Sequence, residues 1–420
     1  MVFDLNTYLQ MPGVRRFLLA LRDDMAQGRS VLVLLPRGVD AGGLWAALRH
    51  ELWQRSYSVG EVFLPDLPAG APVPALAEAL GATWPSPDTQ RTLSNLLCCE
   101  GLPDVVRLEG VEYLDDGLRR RWLGLLSDWA KISQGAQVRN QPPPVLCALT
   151  SAVADSSDLP PTDVRLSVRW WWGVLSTLEL RLMCRLEDGE ASPDSSWREH
   201  LLAALAGDHL ELASYLWEDT CLPSDVLVSR LTEFAAEKGW TKAALVGWGA
   251  DHVARFSKDY GRKTLACPPE PLQRLWTCGA LQWTAEQGLE LHPAAMAALG
   301  MEEDIRHRLW RAQASLLLPL IDGARLKICA HLTNAYGRAW PIKWLRPESH
   351  EEERAVGSNP FACQLGYLKH LLRKCHNLKG EWRWLPLVEQ AHWTRNELAH
   401  YRPIDYTHFE LLSKELRRLG

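Results

Sequence analysis

Apolar residues in the first 175 positions alternate between short continuous runs and amphipathic stretches. The continuous runs, which are typical of buried strands, lie at Ser30–Leu35, Val59–Leu64, Asp104–Leu108, Val145–Thr150 and Val164–Val168. Amphipathic stretches such as Leu44–Arg55 and Leu118–Ala130 separate them. Alternation of this kind predicts a parallel sheet covered by helices, that is, an α/β domain over residues 1–175.

The pattern between Leu175 and about Leu289 becomes helical. Apolar positions recur at helical spacing in Ser196–Trp217, Ser224–Lys238 and Thr241–Phe256. Three prolines within Cys267–Pro271 mark a break after these stretches. We therefore predict an all-α middle domain over residues 176–298.

The last region, residues 299–420, is helical with a different division. Residues at three- and four-residue spacing predict one long helix with a kink at Pro319: Ile305, Leu309, Ala312, Leu316, Leu320, Ala324, Ile328 and Leu332. Three more helices are predicted at Cys363–His376, Leu385–His400 and Thr407–Leu419. The charged segment Glu348–Arg354 between the first two is interpreted as a solvated loop. Four helices in this order predict a helical bundle.

Composition excludes several classes of protein. The 420 residues are 47% hydrophobic and 23% charged, which is ordinary for a globular chain. No apolar run approaches the roughly 20 residues that a membrane helix needs. Charged residues interrupt Met1–Met25 where a signal peptide needs an apolar run, so we expect a cytoplasmic protein. The ten cysteines show no CxxC and no metal-ligand spacing, so reduced thiols and no metal cofactor are expected.

Charge is divided unevenly along the chain. The net charge is −5, yet residues 301–420 hold 19 basic against 14 acidic side chains and eight of the 13 histidines. A positive, histidine-rich carboxyl-terminal region favours a phosphate-bearing partner such as RNA. The 20 tryptophans, which outnumber tyrosine and phenylalanine combined, favour wide interfaces with partner proteins.

A glycine-rich segment follows the first predicted strand, where a helix opens. The spacing from Gly38 to Gly43 is that of the phosphate-binding loop GxxxxGK[ST]. The lysine that would neutralise the β- and γ-phosphates is replaced by Leu44, and the hydroxyl that would hold Mg²⁺ is replaced by Trp45. The spacing is therefore present without its chemistry.

The first domain resembles a degenerate P-loop NTPase of the kind attached to bacterial signalling and defence proteins. The strand Asp104–Glu109, which would carry the second acidic motif, is interrupted by Arg107. No lysine precedes Lys131, so Arg37 is the only cation in the loop. The resemblance implies a nucleotide-type fold without ATP hydrolysis. The alternative is an α/β domain whose glycines only form a tight turn, and no cofactor is predicted in either case.

A second motif lies near the carboxyl terminus, before the helix-stopping Pro403. The residues Arg395-Asn396-x-x-Ala399-His400 match the Rx4–6H pattern, in its RNxxxH form, of the HEPN superfamily. The region resembles this helical-bundle group, which is rich in metal-independent ribonucleases of toxin and anti-phage systems. The resemblance covers roughly 120 residues and implies catalytic roles for Arg395, Asn396 and His400.

These residue types suit the cleavage of RNA without a metal. The 2′-OH of RNA can attack the adjacent phosphate if one group transfers the proton and a cation faces the phosphate oxygens. His400 suits proton transfer because the reference pKa of histidine is near 6.5. Arg395 suits the phosphate through its planar fork of donors, and Asn396 would orient His400 or contact the phosphate.

Helical geometry separates the two main residues of the motif. At about 100° per residue, Arg395 and His400 point roughly 140° apart, whereas Asn396 and His400 share a face. One helix is therefore poorly placed to close both Arg395 and His400 on one phosphate. The resemblance implies a site built across a homodimer, as is usual in HEPN nucleases.

Other functions remain open on the sequence. Arg395 and His400 also suit a helix-end ion-pair and capping set, since a protonated histidine is favourable there. The chain would then be a non-enzymatic scaffold or regulatory subunit of a multi-protein defence system. A third interpretation is a CRISPR-ancillary ribonuclease activated by cyclic oligoadenylate through the first domain. The middle domain and the P-loop-like spacing favour the degenerate NTPase over this last interpretation.

Overall fold

The protein is described by a computed structural model over residues 3–84, 86, 88–135, 143–151, 159–189, 192–260, 266–284, 288–347 and 349–419. The chain divides into two compact units. Unit 1 comprises Met1–Met183, Ala206–Ser214 and Ala235–Ala295, and unit 2 comprises Cys184–Leu205, Tyr215–Phe234 and Met296–Gly420. Residues 176–298 thus contribute to both units.

The described part of unit 1 contains a five-stranded parallel sheet. Its strands are β1 (Ser30–Leu34), β2 (Val59–Phe63), β3 (Val105–Glu109), β4 (Val145–Thr150) and β5 (Leu166–Trp170), in the spatial order β2-β3-β4-β1-β5. Every residue of β1 and β4 is buried, which explains why both strands are continuous apolar runs in the sequence. The predicted parallel sheet is confirmed.

The strand order places β1 in the interior of the sheet, between β4 and β5. In the register, Val31 lies opposite Cys147 on one side and Ser167 on the other. After β1 the chain runs to β2 at one edge of the sheet. After β4 it runs to β5 at the opposite edge. Ligands of open α/β sheets bind outside the carboxyl ends of strands at such a reversal of direction. The loop after β1 lies at this position.

Helices cover the sheet and continue to residue 188. They are α1 (Leu5–Gln10), α2 (Pro12–Ala26), α3 (Ala41–Trp53), α4 (Pro72–Ala79), α5 (Leu93–Leu97), α6 (Asp116–Gly135) and α7 (Thr177–Asp188), with 3-10 turns at Leu64–Asp66 and Val111–Tyr113. A buried carboxylate joins α2 to the sheet. Asp24 accepts hydrogen bonds from Ser167 on β5 (2.7 Å) and from Arg169 (2.8 Å). Although burial opposes ionisation, these bonds lower the pKa of Asp24.

The region predicted as an all-α middle domain contains strands as well as helices. Its helices are α8 (Pro193–Ala206), α9 (Leu210–Tyr215), α10 (Ser224–Glu237), α11 (Lys242–Gly247), α12 (Val253–Tyr260), α13 (Gln273–Thr277) and α14 (Pro293–Ala298), with 3-10 turns at Ala250–His252 and Glu270–Leu272. An antiparallel pair, β6 (Leu281–Thr284) and β7 (Gly288–Leu291), corrects the all-α prediction. Four-residue strands are too short to show a period in the sequence.

The carboxyl-terminal region of unit 2 packs around one long helix. Its elements are α15 (Glu302–Tyr336), α16 (Trp340–Lys343), α17 (His350–Ser358), α18 (Leu365–Lys374), α19 (Leu385–Ala399) and α20 (Tyr406–Arg417), with 3-10 segments at Pro360–Ala362 and His376–Trp384. At 1.5 Å per residue, α15 is about 52 Å long. Helix α19 contacts α15, α18 and α20, so it lies at the centre of this group. The predicted helices are present.

Two details of this region differ from the sequence prediction. The charged segment interpreted as a loop forms α17, because Ser349 caps it and three glutamates fill its first turn; Glu348 lies outside the described residues. In α15 the buried face includes Ile321 rather than Leu320, which is 45% exposed. The predicted positions Ala324, Ile328 and Leu332 are buried, so the difference is confined to the residues next to Pro319.

Candidate functional site

The loop between β1 and α3 occupies the position of a phosphate-binding loop. Gly38 has φ +96°, and a Cβ there would lie 3.0 Å from the ring of His209. Asp40 caps α3, and its Oδ1 accepts a hydrogen bond from the backbone N–H of Gly43 at 3.0 Å. Backbone N–H groups at a helix start are what such a loop offers to phosphate. In this chain the carboxylate of Asp40 already binds the backbone N–H of Gly43.

Both residues that replace the motif's functional side chains belong to the core. Leu44 is 1% exposed and Trp45 is 3% exposed. The indole Nε1 of Trp45 donates to Glu61 at 3.1 Å, and the guanidinium of Arg107 lies 5.0 Å from the Trp45 ring centroid. Arg107 also pairs with Glu61 and Glu109. The two departures from the P-loop pattern, Trp45 and Arg107, are therefore packed on each other.

A small cavity lies beside this loop. Its volume is about 40 Å³, close to the roughly 30 Å³ that one water occupies in the liquid. Its lining includes the aromatic residues Tyr8, Trp171 and Trp276 and the acidic Asp208. Burial raises the pKa of Asp208 to about 7, and burial lowers the pKa of the neighbouring His209 to about 4. The enclosed space has room for about one water molecule, and the acidic side chains in its lining do not favour a phosphate group.

The motif residues of unit 2 lie on α19, but the structure separates them. Arg395 and Asn396 are in the last two turns, and the Nη1 of Arg395 donates to Oδ1 of Asn396 at 3.3 Å. His400 follows the last helical residue, and its backbone N–H donates to the carbonyls of Asn396 and Glu397. Its side chain is exposed and has no hydrogen bond among the described contacts. Arg395 and His400 do not meet within one chain.

The segment after α19 is fixed by two side chains of α15. The indole of Trp310 donates to the Leu398 carbonyl at 2.7 Å. Buried Gln313 donates to the Ile404 carbonyl at 2.9 Å and accepts from the Ile404 N–H at 2.7 Å. These bonds stop α19 at a defined point, and His400 is left at the surface of unit 2.

A different histidine joins the motif residues. We call Lys369, His392, Arg395 and Asn396 the His392 cluster. Nζ of Lys369 lies 3.0 Å from Nδ1 of His392, and Nδ2 of Asn396 lies 3.3 Å from Nε2. Because an ammonium group only donates, Nδ1 is the acceptor and the neutral ring carries its proton on Nε2. The amide nitrogen of Asn396 also only donates, so its approach to Nε2 is a close contact and not a second hydrogen bond to the ring. Burial, Lys369 and Arg395 all lower the pKa of His392.

Two cavities are lined by this histidine. One of about 540 Å³ is lined by His392, Arg395 and the start of α18, including Gly366. The other, of about 500 Å³, is lined by His392, Lys369, Asn396 and Trp393. Both volumes fall within the range of small-ligand sites. His400 lines neither cavity.

Some of the charged side chains that line the two cavities form ion pairs, and others do not. Carboxylates are also present: Asp322 pairs with Arg325 and Glu389 pairs with Arg373. Glu352 lines the cavity of about 540 Å³ and has no ion pair among the described contacts. Within the described contacts, neither Lys369 nor Arg395 has a carboxylate partner. Two cations that face solvent-filled space beside a neutral imidazole are suited to hold a phosphate group and to move a proton.

The role of His392 was missed in the sequence because its main partner is distant. Lys369 lies 23 residues earlier, on α18, and no local sequence spacing predicts that contact. One signal was available. His392 precedes Asn396 by four residues, which places both on one helix face. The RNxxxH pattern instead names His400, which follows the last residue of the helix.

Among the described residues, no group of three or more His, Cys, Asp and Glu side chains is placed to hold a metal ion. The ten cysteines are free thiols. No helix in the described part of the chain combines the length and apolar character that a membrane crossing requires.

Comparisons with known proteins give little further information. No protein-family model matches the chain, and no curated protein matches it. One solved structure to which the chain is similar is Drosophila ORC bound to poly(dA/dT) DNA and Cdc6. The identity is 14%, the match covers 99% of this chain and 71% of that chain, and the TM-score is 0.31. A similarity at this TM-score carries no argument about fold or function.

Proposed function

We propose that this chain is a metal-independent endoribonuclease of a toxin-type or anti-phage defence protein. In this proposal the HEPN-like region of unit 2 cuts single-stranded RNA, and the P-loop-like unit 1 regulates it without hydrolysing ATP. The observation that carries the proposal is the His392 cluster, in which a neutral imidazole lies between Lys369 and Asn396 and beside Arg395. The cluster opens into two cavities that are large enough for nucleotides.

The proposed reaction begins when one RNA phosphate binds Lys369, in the cavity of about 500 Å³, and a neighbouring phosphate binds Arg395, in the cavity of about 540 Å³. Lys369 then donates to the phosphate instead of Nδ1 of His392, so the Nδ1 lone pair becomes available. Nδ1 takes the proton of the 2′-OH, and the 2′-oxygen forms a bond to phosphorus. The bond from phosphorus to the 5′-oxygen breaks, and that oxygen takes a proton from water. The hydroxide that remains removes the proton from the imidazolium, which restores water and neutral His392. The products are a cyclic 2′,3′-phosphate and a 5′-hydroxyl.

The lowered pKa of His392 predicts how the cleavage rate changes with pH. A general base works in its neutral form, and the neutral form of His392 persists below the ordinary histidine pKa of about 6.5. Cleavage should therefore fall only when the pH drops below that value. In this scheme Lys369 and Arg395 supply the positive charge that a metal ion would otherwise provide. EDTA should therefore leave the cleavage rate unchanged.

The decisive experiment compares two histidines of the same region. Cleavage of an end-labelled single-stranded RNA is measured for the wild type, His392→Ala, His400→Ala, Arg395→Ala and Asn396→Ala. His392→Ala should lower the rate about 10²- to 10⁴-fold, the usual contribution of general acid and base catalysis. Arg395→Ala should be as damaging and Asn396→Ala milder. His350, whose side chain is 99% exposed, supplies the matched control His350→Ala.

Each other outcome has a definite meaning. If His400→Ala abolishes cleavage and His392→Ala does not, the composite site of two copies predicted from the sequence replaces the His392 cluster. If the wild type cuts no RNA, alone or with the products of neighbouring genes, the ribonuclease proposal is wrong. Product analysis that finds a 3′-hydroxyl in place of a cyclic phosphate also excludes the proposed reaction.

A further inference from the structure

A tryptophan next to the His392 cluster is held in an unusual position. Trp393 is 38% exposed, although it lies on α19 at the centre of the bundle. Its ring stacks on the ring of His408 with a centroid distance of 4.1 Å and an interplanar angle of 17°. One face of the indole is thus covered by a parallel ring. The exposed fraction shows that much of the remaining surface is open.

The covering ring is itself held in place. Nδ1 of His408 lies 2.6 Å from Oδ1 of Asp405, and the backbone N–H of His408 donates to the same oxygen at 2.9 Å. Asp405 is also the N-cap of α20. Burial opposes ionisation, but the bonds from the His408 backbone and ring lower the pKa of Asp405, so its carboxylate stays charged. The stack is therefore fixed before any ligand arrives.

Trp393 lines the cavity of about 500 Å³ together with Lys369 and Asn396 of the His392 cluster. Leu411, which is 45% exposed, also lines this cavity. The cavity therefore combines a flat aromatic surface with an ammonium group that has no carboxylate partner among the described contacts. Proteins that bind single-stranded nucleic acid use this combination, in which bases stack on aromatic rings and cations follow the backbone.

We propose that Trp393, backed by His408, is a stacking platform for one unpaired base of an RNA whose neighbouring phosphate binds Lys369. This inference rests on the proposed function in taking RNA as the ligand. It adds that the substrate must be single-stranded at this position, because a paired base has no free face. It also adds that the platform accepts any base, since every base has a π-face.

The test uses an RNA that cannot be cut, so that binding is measured apart from cleavage. The affinity of the full chain for a labelled 2′-O-methyl single-stranded RNA is measured by fluorescence anisotropy. Trp393→Ala should weaken binding about 5- to 150-fold, the range that corresponds to one stacked base. Trp393→Phe should retain most of the affinity. The matched control is Trp382→Ala, at a tryptophan that is 45% exposed and lines neither cavity.

A second comparison identifies the contact as stacking. Removing one base from the RNA, while the sugar and phosphate remain, should weaken wild-type binding by a similar factor at one position along the strand. The same RNA should bind Trp393→Ala no more weakly than the complete RNA. The affinity for a blunt duplex should not change with Trp393→Ala. These three results together support the platform.

The outcomes separate this inference from the ribonuclease proposal. If Trp393→Ala binds as tightly as the wild type, the platform is wrong even where the wild type cuts RNA. If the wild type cuts nothing but Trp393→Ala weakens binding as described, the platform stands and the ribonuclease proposal falls. If Trp393→Ala changes the oligomeric state in light scattering and leaves RNA affinity unchanged, the surface is a protein interface and the inference is overturned.

Discussion

The glycine loop of unit 1 and the His392 cluster of unit 2 differ in how their chemistry relates to the spacing of a sequence motif. The loop keeps the glycine spacing of a phosphate site, yet its helix is capped by Asp40 and the cavity beside it measures only about 40 Å³. The cluster does not follow its motif's spacing, yet it places an imidazole near two cations that have no carboxylate partner among the described contacts. The side chains that surround a site decide its chemistry, and backbone spacing alone does not.

The largest effect that would test this contrast concerns where RNA binds. Lys369→Ala combined with Arg395→Ala should weaken binding of 2′-O-methyl single-stranded RNA by roughly tenfold or more. The slope of log affinity against log salt should decrease by about 1.4, because two phosphate contacts are lost. Arg37→Ala, which removes the exposed cation of the glycine loop, should change neither quantity. Anisotropy across a salt series measures both.

An equal loss of affinity with Arg37→Ala would contradict the contrast, because it would place RNA on the glycine loop. Arg354→Ala, at an exposed arginine on α17, controls for a general decrease in charge.

A smaller effect concerns the stability of unit 1. The pKa of Asp208 is about 7 in the fold and about 3.8 in an unfolded chain. Between these values the folded chain binds the extra proton, so the free energy of unfolding falls as the pH rises. Asp208→Asn should therefore raise the melting temperature at pH 8 by about 3 °C or more, and hardly change it at pH 4.

Asp66→Asn, at an exposed aspartate of unit 1, should leave the melting temperature unchanged at both pH values. If Asp208→Asn stabilises the protein equally at pH 4 and pH 8, the carboxyl group of Asp208 does not titrate as described.

The smallest effect concerns the ring of His392. A Cβ added at Gly366 would lie 3.3 Å from Nε2 of His392, so Gly366→Ala should displace the ring slightly and lower RNA cleavage a few-fold. Gly323, on α15, has no atom within 4 Å of its added Cβ. Gly323→Ala should leave cleavage unchanged and raise the free energy of unfolding by roughly 0.5–1 kcal/mol.

Rate measurements and denaturant unfolding of the two alanine variants test this prediction. If Gly366→Ala cuts RNA at the wild-type rate, the position of the His392 ring is not critical to catalysis.

The elements that were predictable are those whose pattern is local. The apolar run Val145–Thr150 is β4 with the same bounds, and the period beginning at Ile305 is α15. The helical pattern over Ser196–Trp217 corresponds to two helices, α8 and α9, because Gly207 has φ +58° and the chain turns between them. Pro319 lies inside α15 without ending it, and Leu320 is the one residue of the predicted buried face that is exposed.

The candidate site was predictable only in part, for a related reason. Arg395 and Asn396 were found because their spacing lies within one helix. The contact of Lys369 with His392 joins α18 to α19, and the packing of Arg107 on Trp45 joins β3 to α3. Contacts of this kind depend on how elements pack, which a single sequence does not encode locally. The roles of Arg395, Asn396 and His400 in catalysis stay predictions.

The cap formed by Asp40 has a consequence for how such a loop can change over evolutionary time. A mutation that restored lysine at position 44 would bury a charge in the core, since Leu44 is 1% exposed. A mutation that restored a hydroxyl at position 45 would remove the ring on which Arg107 lies, and Asp40 would still hold the amide that a phosphate needs. Each of these substitutions therefore lowers stability without completing a phosphate site. No single substitution at position 40, 44 or 45 turns this loop into one that has both the P-loop side chains and a free amide.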